Sequence, residues 1–384
     1  MLITRLVLKN WRNFKAVDVA LRERVFVIGP NASGKSNLLD VLRFLRDVAK
    51  PGGGLQRAVV ERGGLTKLRC LQARRDPEVS ITVELADKVD QPAVWRYTLA
   101  FKSEGKGLQR VVVSNESATD LRQDIERMSR PDKLDAADKE RLTETGLEQV
   151  NANKDFREIA QFFSALTYLH LVPQLLKHPD LVSAKQLEGD PFGQSFLERI
   201  AKTNERTRDS RLKKIEGALQ ACVPNMRNLR FRHDTVTGHP HLEALYAHWR
   251  PDAGWQREDQ LSDGTLRLLG IMWSLLEGDS LLLLEEPELS LNEAIVSQIP
   301  PLLWKMQRLA KHRRQVFLTT HSDALLRHPS IDPREVLRLD PTPDGTKVLQ
   351  ASEEEMRLIE AGYSVAEAIA SKVRPAGLDQ IALF

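Results

Sequence analysis

The strongest constraint on the fold is a short glycine-containing loop between an apolar run and a helical pattern. Its residues are Gly29-Pro30-Asn31-Ala32-Ser33-Gly34-Lys35-Ser36, which fit GxxxxGK[ST]. Arg24–Ile28 before it is a β-branched run that predicts a buried strand, and leucines at helical spacing follow in 37–49. A strand, this loop and a helix in that order predict a phosphate-binding P-loop within an α/β fold.

The residue types of this loop explain why it is expected to bind phosphate. Glycines let backbone N–H groups turn inward, and the following helix presents the positive end of its dipole. Lys35 is expected to reach the β- and γ-phosphates of ATP, and the hydroxyl oxygen of Ser36 is expected to bind Mg²⁺. The predicted nucleotide contacts are Gly29, Asn31, Ser33, Gly34, Lys35, Ser36 and Asn37.

A second segment, Ser280–Pro287, is an apolar strand that ends in two acids. A strand that delivers carboxylates beside a P-loop is the Walker B arrangement. Glu285 takes the position that holds Mg²⁺, and Glu286 takes the position of the base that polarises the attacking water. Many P-loop ATPases have Asp in the first position, so Glu285 is a departure that is expected to alter the metal geometry without abolishing binding.

Two further segments complete the set of motifs. Leu261–Thr265 opens an apolar helix, and either Ser262 or Asp263 fits the N-cap position of that helix. Alternatively, Ser262 and Gly264 form a turn that is suited to clamp a γ-phosphate. Gln315–Thr320 predicts another buried strand, and His321 follows it where a sensor of the γ-phosphate would lie.

The order of these motifs resembles that of the ABC ATPase superfamily. Within it, the chain is similar to the SMC/RecF/OLD-like ATPases of DNA repair and phage defence. The opening Leu6-Val7-Leu8-Lys9-Asn10-Trp11-Arg12-Asn13-Phe14 and the stretch Glu285-Glu286-Pro287-Glu288 are characteristic of that group. OLD-type relatives often carry a TOPRIM nuclease, which needs an Asp-x-Asp pair. This sequence contains no such pair, so we expect no built-in TOPRIM domain.

The resemblance implies a cofactor, an assembly and roles for particular residues. ATP and Mg²⁺ would bind between two copies of the chain in a homodimer, and such homodimers could assemble into higher oligomers. Ser262 and Gly264 would touch the γ-phosphate of ATP held by the other subunit. Leu289–Asn292 would be the D-loop at that interface, and His321 would be the switch histidine. Lys35, Glu286 and His321 are therefore the predicted catalytic residues.

The pattern of elements predicts a mixed sheet with flanking helices, interrupted by a mostly helical insertion. Alternating or β-branched runs predict strands at 2–9, 17–21, 24–28, 79–85, 94–101 and 110–113. Charged, helix-forming sequence at 120–166 and 187–221 predicts the insertion. The fold class is thus α/β, a P-loop NTPase head of the ABC type. Its predicted parts are an N-terminal lobe at 1–115, the insertion at 116–225 and a C-terminal lobe at 226–384.

Composition and charge limit the partners. The sequence has neither a long apolar span nor a signal-peptide core, so we expect a cytoplasmic protein without a membrane partner. The net charge is +3, but ten basic residues lie between Arg199 and Arg232. They form either a solvated helix face or a contact for the phosphates of duplex DNA. The final residues, Gln380–Phe384, close a domain or resemble a peptide that docks on a bacterial sliding clamp.

Together these features predict an ATPase (ATP and water to ADP and phosphate) that works as a clamp or sensor on DNA. A role in DNA repair or phage defence is expected, with a separately encoded nuclease or toxin as effector. The alternative is an ATP-gated scaffold that sequesters a partner protein without binding DNA. Stimulation of ATP turnover by DNA distinguishes the two hypotheses.

Overall fold

The computed structural model describes residues 1–73, 76–105, 110–178, 190–250 and 254–370. By their contacts, the residues divide into two compact units. The first unit comprises Met1–Leu166, Gln315–His321 and Asp332–Phe384, of which 371–384 lie outside the described residues. The second unit comprises Thr167–Arg314 and Ser322–Ile331. The predicted clamp-docking segment, Gln380–Phe384, is therefore outside the described part of the chain.

The first unit contains a six-stranded antiparallel sheet. Its strands are β1 (Leu2–Trp11), β2 (Phe14–Ala20), β4 (Val79–Ala86), β5 (Trp95–Ser103), β6 (Val111–Asp120) and β7 (Ile125–Arg130). They lie in the order β2-β1-β4-β5-β6-β7. Alternate residues of β4 are buried, as the period of two in the sequence requires. The strands predicted at 2–9, 17–21, 79–85, 94–101 and 110–113 are confirmed.

The first unit also contains the strand that leads into the P-loop. Strand β3 (Arg24–Ile28) is buried along its whole length. It pairs in parallel with β13 (Val316–Thr320) on one side and with β14 (Val336–Thr342) on the other. A strand with parallel neighbours on both sides is buried on both faces, which explains the continuous apolar run. Strand β15 (Gly345–Leu349) pairs antiparallel with β14.

The helices of the first unit include one long helix after the P-loop. This helix, α1 (Lys35–Ala49), buries the leucines that carried its helical spacing in the sequence, including Leu38, Leu42 and Leu45. The remaining helices are short: α2 (Leu55–Val60), α3 (Leu65–Leu68), α4 (Lys133–Ala137), α5 (Arg157–Ser164), α13 (Glu353–Glu360) and α14 (Val365–Ala368).

The second unit packs helices with short strands. Its strands are β8 (Thr167–Leu169), β9 (Met226–His233), β10 (Pro240–Tyr246), β11 (Trp255–Arg257) and β12 (Leu282–Glu285). Its helices are α6 (Pro173–Lys177), α7 (Phe196–Lys202), α8 (Glu205–Leu219), α9 (Asp263–Leu276), α10 (Glu293–Val296), α11 (Ile299–Leu309) and α12 (Asp323–Leu326). Strands β9 to β11 form an antiparallel sheet, and β12 pairs in parallel with β8.

A buried arginine fixes the elements around β12. Arg314 is 2% exposed, and its guanidinium donates hydrogen bonds to the carbonyl oxygens of Ser280 and Ser274 at 2.6 Å each. It also donates to Thr167 Oγ1 at 2.8 Å. Burial lowers the pKa of Arg314 to about 10. One side chain thus joins the end of α9, the approach to β12 and the start of β8.

The segment 116–225 is less helical than its sequence indicates. The prediction of helix from residue 120 is wrong over Ile125–Arg130, which forms strand β7 and pairs with β6. Its charged residues fit an edge strand, because charge on an edge strand protects its unpaired backbone from further pairing. The helices predicted within 187–221 are confirmed as α7 and α8. The division between the units falls after Leu166, so the parts 1–115, 116–225 and 226–384 stay a prediction.

Among the described residues, no helix is both long and apolar enough to cross a membrane.

Candidate functional site

The P-loop joins β3 to α1 through left-handed backbone conformations. Ala32 has a φ of 61° and Gly34 a φ of 101°. A Cβ at Gly34 would lie 2.2 Å from Asn13 Nδ2, and one at Gly29 would lie 2.5 Å from Ser33 Oγ. Both glycines are therefore required by close approach as well as by sequence pattern. The N-cap of α1 is Gly34, which has no side chain to cap the helix, and a helix N-terminus favours an anion through its N–H groups and its dipole.

The structure brings two predicted catalytic residues of the first unit together. Lys35 is 7% exposed, and its Nζ donates to the carbonyl oxygens of Gly29 at 2.9 Å and Pro30 at 3.1 Å. His321, which follows β13, places Nδ1 3.5 Å from Lys35 Nζ. Because β13 lies beside β3, residues after the two strands meet at one edge of the sheet. His321 therefore lies beside the P-loop lysine, whereas its role as a sensor of the γ-phosphate stays a prediction.

Asn13 supports the P-loop from the turn between β1 and β2. Its Nδ2 donates to the carbonyl oxygen of Ser33 and to Thr346 Oγ1, both at 2.8 Å. Its Oδ1 accepts from Asn37 Nδ2 at 2.8 Å. Trp11 Nε1 in the same hairpin donates to the carbonyl oxygen of Asn37 at 3.0 Å. The amide of Asn37, predicted to contact nucleotide, therefore takes part in holding the loop.

The other P-loop residues named from the sequence differ in exposure. Asn31 and Ser36 are exposed, so their side chains are accessible to a ligand. Ser33 is fully buried, and its hydroxyl has no hydrogen-bond partner among the described residues. A buried hydroxyl without a partner costs free energy, so its presence in the loop calls for an explanation, of which a functional role is one.

In the second unit, the Walker B strand ends in a hydrogen-bonded carboxylate. Strand β12 is buried up to Leu284, and Glu285 ends it half-buried. Tyr168 on the neighbouring β8 forms a short hydrogen bond through its hydroxyl to Glu285 Oε2. Tyr168 is 7% exposed. The residue predicted to bind the metal therefore has a fixed partner, which no motif in the sequence indicated.

Glu286 lies in a turn stabilised by a buried cation. Its φ is 44°, a left-handed value that is uncommon outside glycine, Asn and Asp. Arg267 on α9 is 5% exposed and interacts electrostatically with Asp263, Glu288 and Glu286. Burial lowers the pKa of Arg267, while these three carboxylates raise it. The predicted base therefore lies near a buried positive charge.

The segment Leu261–Thr265, named here the signature segment, begins α9 and contacts the predicted D-loop. Ser262 Oγ accepts from the Thr265 N–H at 3.1 Å, so its N-cap role is observed. A Cβ at Gly264 would lie 2.8 Å from Leu291 Cδ2 and 3.2 Å from the carbonyl oxygen of Ser290. Glycine is therefore needed where the helix start packs on the D-loop. Of the predicted D-loop, Leu289, Ser290 and Asn292 are exposed.

Asp263 of the signature segment is bound by residues of α6 within the second unit. Asp263 forms a salt bridge with Lys177 at 2.7 Å, and its Oδ2 accepts from Gln174 Nε2 at 2.7 Å. The hydrogen bond from Lys177 lowers the pKa of Asp263. Asp263 thus ties the start of α9 to α6.

The residue types fit ATP and Mg²⁺. A glycine cradle, an uncapped helix N-terminus and Lys35 suit a chain of phosphates. The hydroxyl of Ser36 and the carboxylate of Glu285 are hard oxygen ligands, which Mg²⁺ prefers. Lys35, Ser36 and His321 belong to the first unit, whereas Ser262, Gly264, Glu285 and Glu286 belong to the second.

Nine of the ten basic residues from Arg199 to Arg232 fall into two groups, and the tenth, Arg199, is half-buried and lies 3.9 Å from Glu277. In one group, Arg208, Arg211 and Arg230 stack on Phe231, Trp273 and Trp255 at 4.3, 5.2 and 3.4 Å from the ring centroids. Lys214 Nζ donates to the carbonyl oxygen of Leu309 at 2.9 Å. The exposed group consists of Lys202, Arg206, Lys213, Arg227 and Arg232. The stacked arginines are used within the fold, so only the exposed group is accessible as a solvated face or as a contact for DNA phosphates, and both interpretations stay predictions for it.

A further basic surface adjoins α8, and the sequence reasoning missed it. The range 294–322 contains no Asp or Glu. Lys305, Arg308, Lys311 and Arg313 are exposed within it. Trp304 is 50% exposed, and Arg308 lies 4.6 Å from its ring centroid. The signal that could have found this surface is the run of residues without an acid.

Four features together define an ABC-type ATPase head. They are a P-loop after a central strand, a capped signature turn, a strand ending in Glu285 and Glu286, and a histidine beside the P-loop lysine. A family model described as "AAA domain, putative AbiEii toxin, Type IV TA system" matches residues 24–327. Because this match covers more than half of the chain, the protein belongs to that family. Motifs and family together assign it to the SMC/RecF group of ABC-type ATPases.

Curated relatives match short stretches of the chain. The DNA replication and repair protein RecF of Agrobacterium fabrum is 46% identical over 59 residues, 15% of each chain. The protein of the same name from Roseiflexus castenholzii is 29% identical over 112 residues, 27% of this chain and 28% of the relative. The matches thus span less than a third of either relative.

Among solved structures, the fold is similar to that of SMC heads. An SMC head bound to the C-terminal winged-helix domain of ScpA aligns with a TM-score of 0.58 and 14% identity. The alignment covers 93% of this chain and 100% of that one. At this identity the likeness establishes the fold alone, a mixed α/β head of the P-loop NTPase class.

Proposed function

We propose that the protein hydrolyses ATP and couples hydrolysis to the closing and opening of a homodimer that acts on DNA. The observation that carries this proposal is the P-loop of the first unit. There Lys35 Nζ and His321 Nδ1 lie 3.5 Å apart, beside an uncapped helix N-terminus. A lysine and a histidine at that position favour binding and sensing of a terminal phosphate.

In this proposal each side chain has a separate task. Lys35 and the N–H groups at the start of α1 hold the phosphates. Glu286 orients the attacking water and accepts its proton, while Arg267 stabilises the negative charge of the turn that carries Glu286. When bound by Ser36 and Glu285, Mg²⁺ would neutralise negative charge on the phosphates.

The proposed assembly is a homodimer. Ser262 and Gly264 of one copy would contact the γ-phosphate of ATP on the other, as the resemblance to ABC-type heads implies. The exposed position of Ser262 and the packing of Gly264 on the predicted D-loop support this assignment.

The proposed ligand beyond ATP is duplex DNA. The exposed basic residues of α8, β9 and α11 supply positive charge for phosphate contacts. The names of the matched relatives, DNA replication and repair proteins, favour the same ligand. The proposed setting is DNA repair or phage defence with a separately encoded nuclease or toxin.

A second candidate function is an ATP-gated regulator that sequesters a partner protein and does not bind DNA. The family description, which names a toxin of a toxin–antitoxin system, supports this candidate.

The deciding experiment measures steady-state ATP hydrolysis with and without linear duplex DNA, with Glu286→Gln as the blank. We expect DNA to raise a rate that Glu286→Gln abolishes. Activity that depends on Glu286 but ignores DNA would favour the regulator. Activity that survives Glu286→Gln would refute the assignment of the base.

The DNA surface is tested with a matched pair of variants. Alanine at Lys202, Arg206 and Lys213 should reduce the stimulation of ATP hydrolysis by DNA. It should also flatten the plot of log binding constant for DNA against log salt concentration, by about 0.9 in slope for each phosphate that is no longer neutralised. Alanine at Arg334, Lys347 and Arg357, all exposed residues of the first unit, removes the same charge and serves as the control. Equal effects in both variants would assign the change to net charge.

A further inference from the structure

The hydrogen bond between Tyr168 and Glu285 follows from strand register. In the parallel pair of β8 and β12, Tyr168 lies opposite Leu283. Side chains two residues apart share a face of a strand, so Glu285 points to the same side as Leu283 and Tyr168. The phenol therefore reaches along the face of the sheet to the carboxylate, where its hydroxyl meets Oε2.

The tyrosine end of this contact is held in place. Tyr168 is 7% exposed, and the strand that carries it is anchored at Thr167. The Thr167 N–H donates to the carbonyl oxygen of Leu281 at 3.0 Å, and Thr167 Oγ1 accepts from Arg314 at 2.8 Å. Because its backbone is fixed, the phenol hydroxyl offers the carboxylate a donor in one defined position.

Position 285 carries glutamate where many P-loop ATPases carry aspartate, and this difference makes a fixed hydrogen-bond donor useful. Glu has one more methylene and one more rotatable bond than the Asp found in many P-loop ATPases, so its carboxylate has more conformational freedom to lose. A hydrogen bond to Oε2 limits this freedom and fixes the orientation of the carboxylate. Partners of this kind orient metal-binding carboxylates in many sites.

We propose that Tyr168 is a positioning residue for Glu285, so that tyrosine at 168 and glutamate at 285 work as a pair in holding the divalent cation. This inference rests on the proposed ATPase function and specifies the metal side of that site. Tyr168 is not catalytic in this proposal, since it acts through Glu285.

The test measures Mn²⁺ binding by electron paramagnetic resonance in the presence of ATP, with all variants built on Glu286→Gln to prevent turnover. Tyr168→Phe should weaken Mn²⁺ binding by about tenfold or more, the usual cost of removing a partner of a metal ligand. In the Glu285→Asp background, Tyr168→Phe should change Mn²⁺ binding little, because the shorter side chain lies beyond the reach of the hydroxyl. The readout is therefore the coupling between the two positions.

Two controls separate positioning from general damage. Tyr97→Phe removes another phenol–carboxylate hydrogen bond, from the Tyr97 hydroxyl to Glu116 Oε1 at 2.8 Å in the first unit, and should leave Mn²⁺ affinity unchanged. ATP binding in the presence of a chelator should be the same in Tyr168→Phe and its parent, which also verifies folding.

The outcomes for the inference and for the proposed function are distinct. Three results would overturn the positioning role alone. The first is an unchanged Mn²⁺ affinity in Tyr168→Phe, and the second is a loss of Mn²⁺ affinity from Tyr168→Phe that is equally large in the Glu285→Asp background. The third is a loss of metal-free ATP binding in Tyr168→Phe that parallels the loss of Mn²⁺ affinity. A parent protein that binds neither ATP nor Mn²⁺ with ATP would overturn the proposed function itself.

Discussion

At the scale of single residues, the P-loop depends on a side chain that lies outside its motif. Asn13 donates to the carbonyl oxygen of Ser33 and accepts from Asn37, so it links the loop to the first turn of α1. The left-handed conformation of Gly34 lies directly against the Asn13 amide. Loop shape is therefore set jointly by the glycine and by Asn13.

We predict that Asn13→Ala weakens binding of ATP by about tenfold, measured by calorimetry. The loop would lose hydrogen bonds of about 1 kcal/mol each, and 1.4 kcal/mol corresponds to tenfold in affinity. The control is Asn10→Ala, whose amide donates instead to the carbonyl oxygen of Glu78 at 2.8 Å. Equal loss of ATP affinity in the two variants would show that the hairpin, and not the contact to the loop, matters.

The sequence predicted the residues that belong to contiguous motifs and missed those that reach a motif from elsewhere. Lys35 and His321 were both named from the sequence because each follows a recognisable buried strand, and the structure places them 3.5 Å apart. Tyr168 and Arg267 carry no such signal, and Asn13 was recognised only as part of the opening segment Leu6–Phe14, without a role at the P-loop. Their contacts depend on strand register and helix packing, which a single sequence does not encode in short spacings.

At the scale of elements, the helices and strands that are most buried were the ones most easily predicted from the sequence. Helix α9 and strand β12 are apolar and buried, so their continuous runs were easily recognised. Strand β7 is charged and largely exposed, and its local sequence favours helix. Only pairing with β6 makes it a strand, and this long-range contact decides between the alternatives.

The β6–β7 hairpin and α4 are joined by one buried ion pair. Arg130 at the end of β7 donates to both oxygens of Asp135 in α4, at 2.8 and 3.0 Å. Asp135 Oδ2 also accepts from the Asp132 N–H at 3.0 Å, completing a capping box. The hydrogen bond from Arg130 lowers the pKa of Asp135 far below its ordinary value.

We predict that Asp135→Asn lowers the free energy of unfolding by about 2 kcal/mol at pH 7, because one partner of a buried pair is removed. A carboxyl whose pKa is lowered by folding stabilises the protein above its unfolded pKa of about 3.9 and loses this contribution as the pH falls below it. The difference between wild type and Asp135→Asn should therefore shrink below about pH 4.

Denaturant unfolding at several pH values measures this difference. Asp155→Asn, a substitution of an exposed aspartate in the same unit, serves as the control and should change stability little at any pH. A difference for Asp135→Asn that stays constant as the pH falls would contradict the assigned pKa direction.

At the scale of the whole molecule, the motifs of one proposed reaction are distributed over two units. The P-loop and His321 belong to the first unit, and the signature and Walker B residues belong to the second. In the proposed dimer, moreover, the signature serves the ATP of the other copy. Association and ATP binding are therefore expected to depend on each other. The presence of ATP should then determine whether the protein is a monomer or a dimer in solution.

We predict that Glu286→Gln in the presence of ATP and Mg²⁺ forms a particle of twice the 43.5 kDa of one chain, measured by light scattering after gel filtration. Without hydrolysis the closed state should accumulate, and Lys35→Ala should prevent it by removing the phosphate contact. The sharper test is at Ser262, which caps α9. Asn and Asp both serve as N-caps, so these two substitutions differ mainly in charge.

Ser262→Asn should retain the ATP-dependent dimer, whereas Ser262→Asp should abolish it, because its carboxylate would face the γ-phosphate and repel it. ATP binding to the separate chains should persist in both variants, since Ser262 serves the other copy in this proposal. If Ser262→Asp dimerises as well as Ser262→Asn, the signature does not contact phosphate in the dimer. If Ser262→Asp abolishes ATP binding by the single chain, Ser262 instead acts on the nucleotide of its own chain.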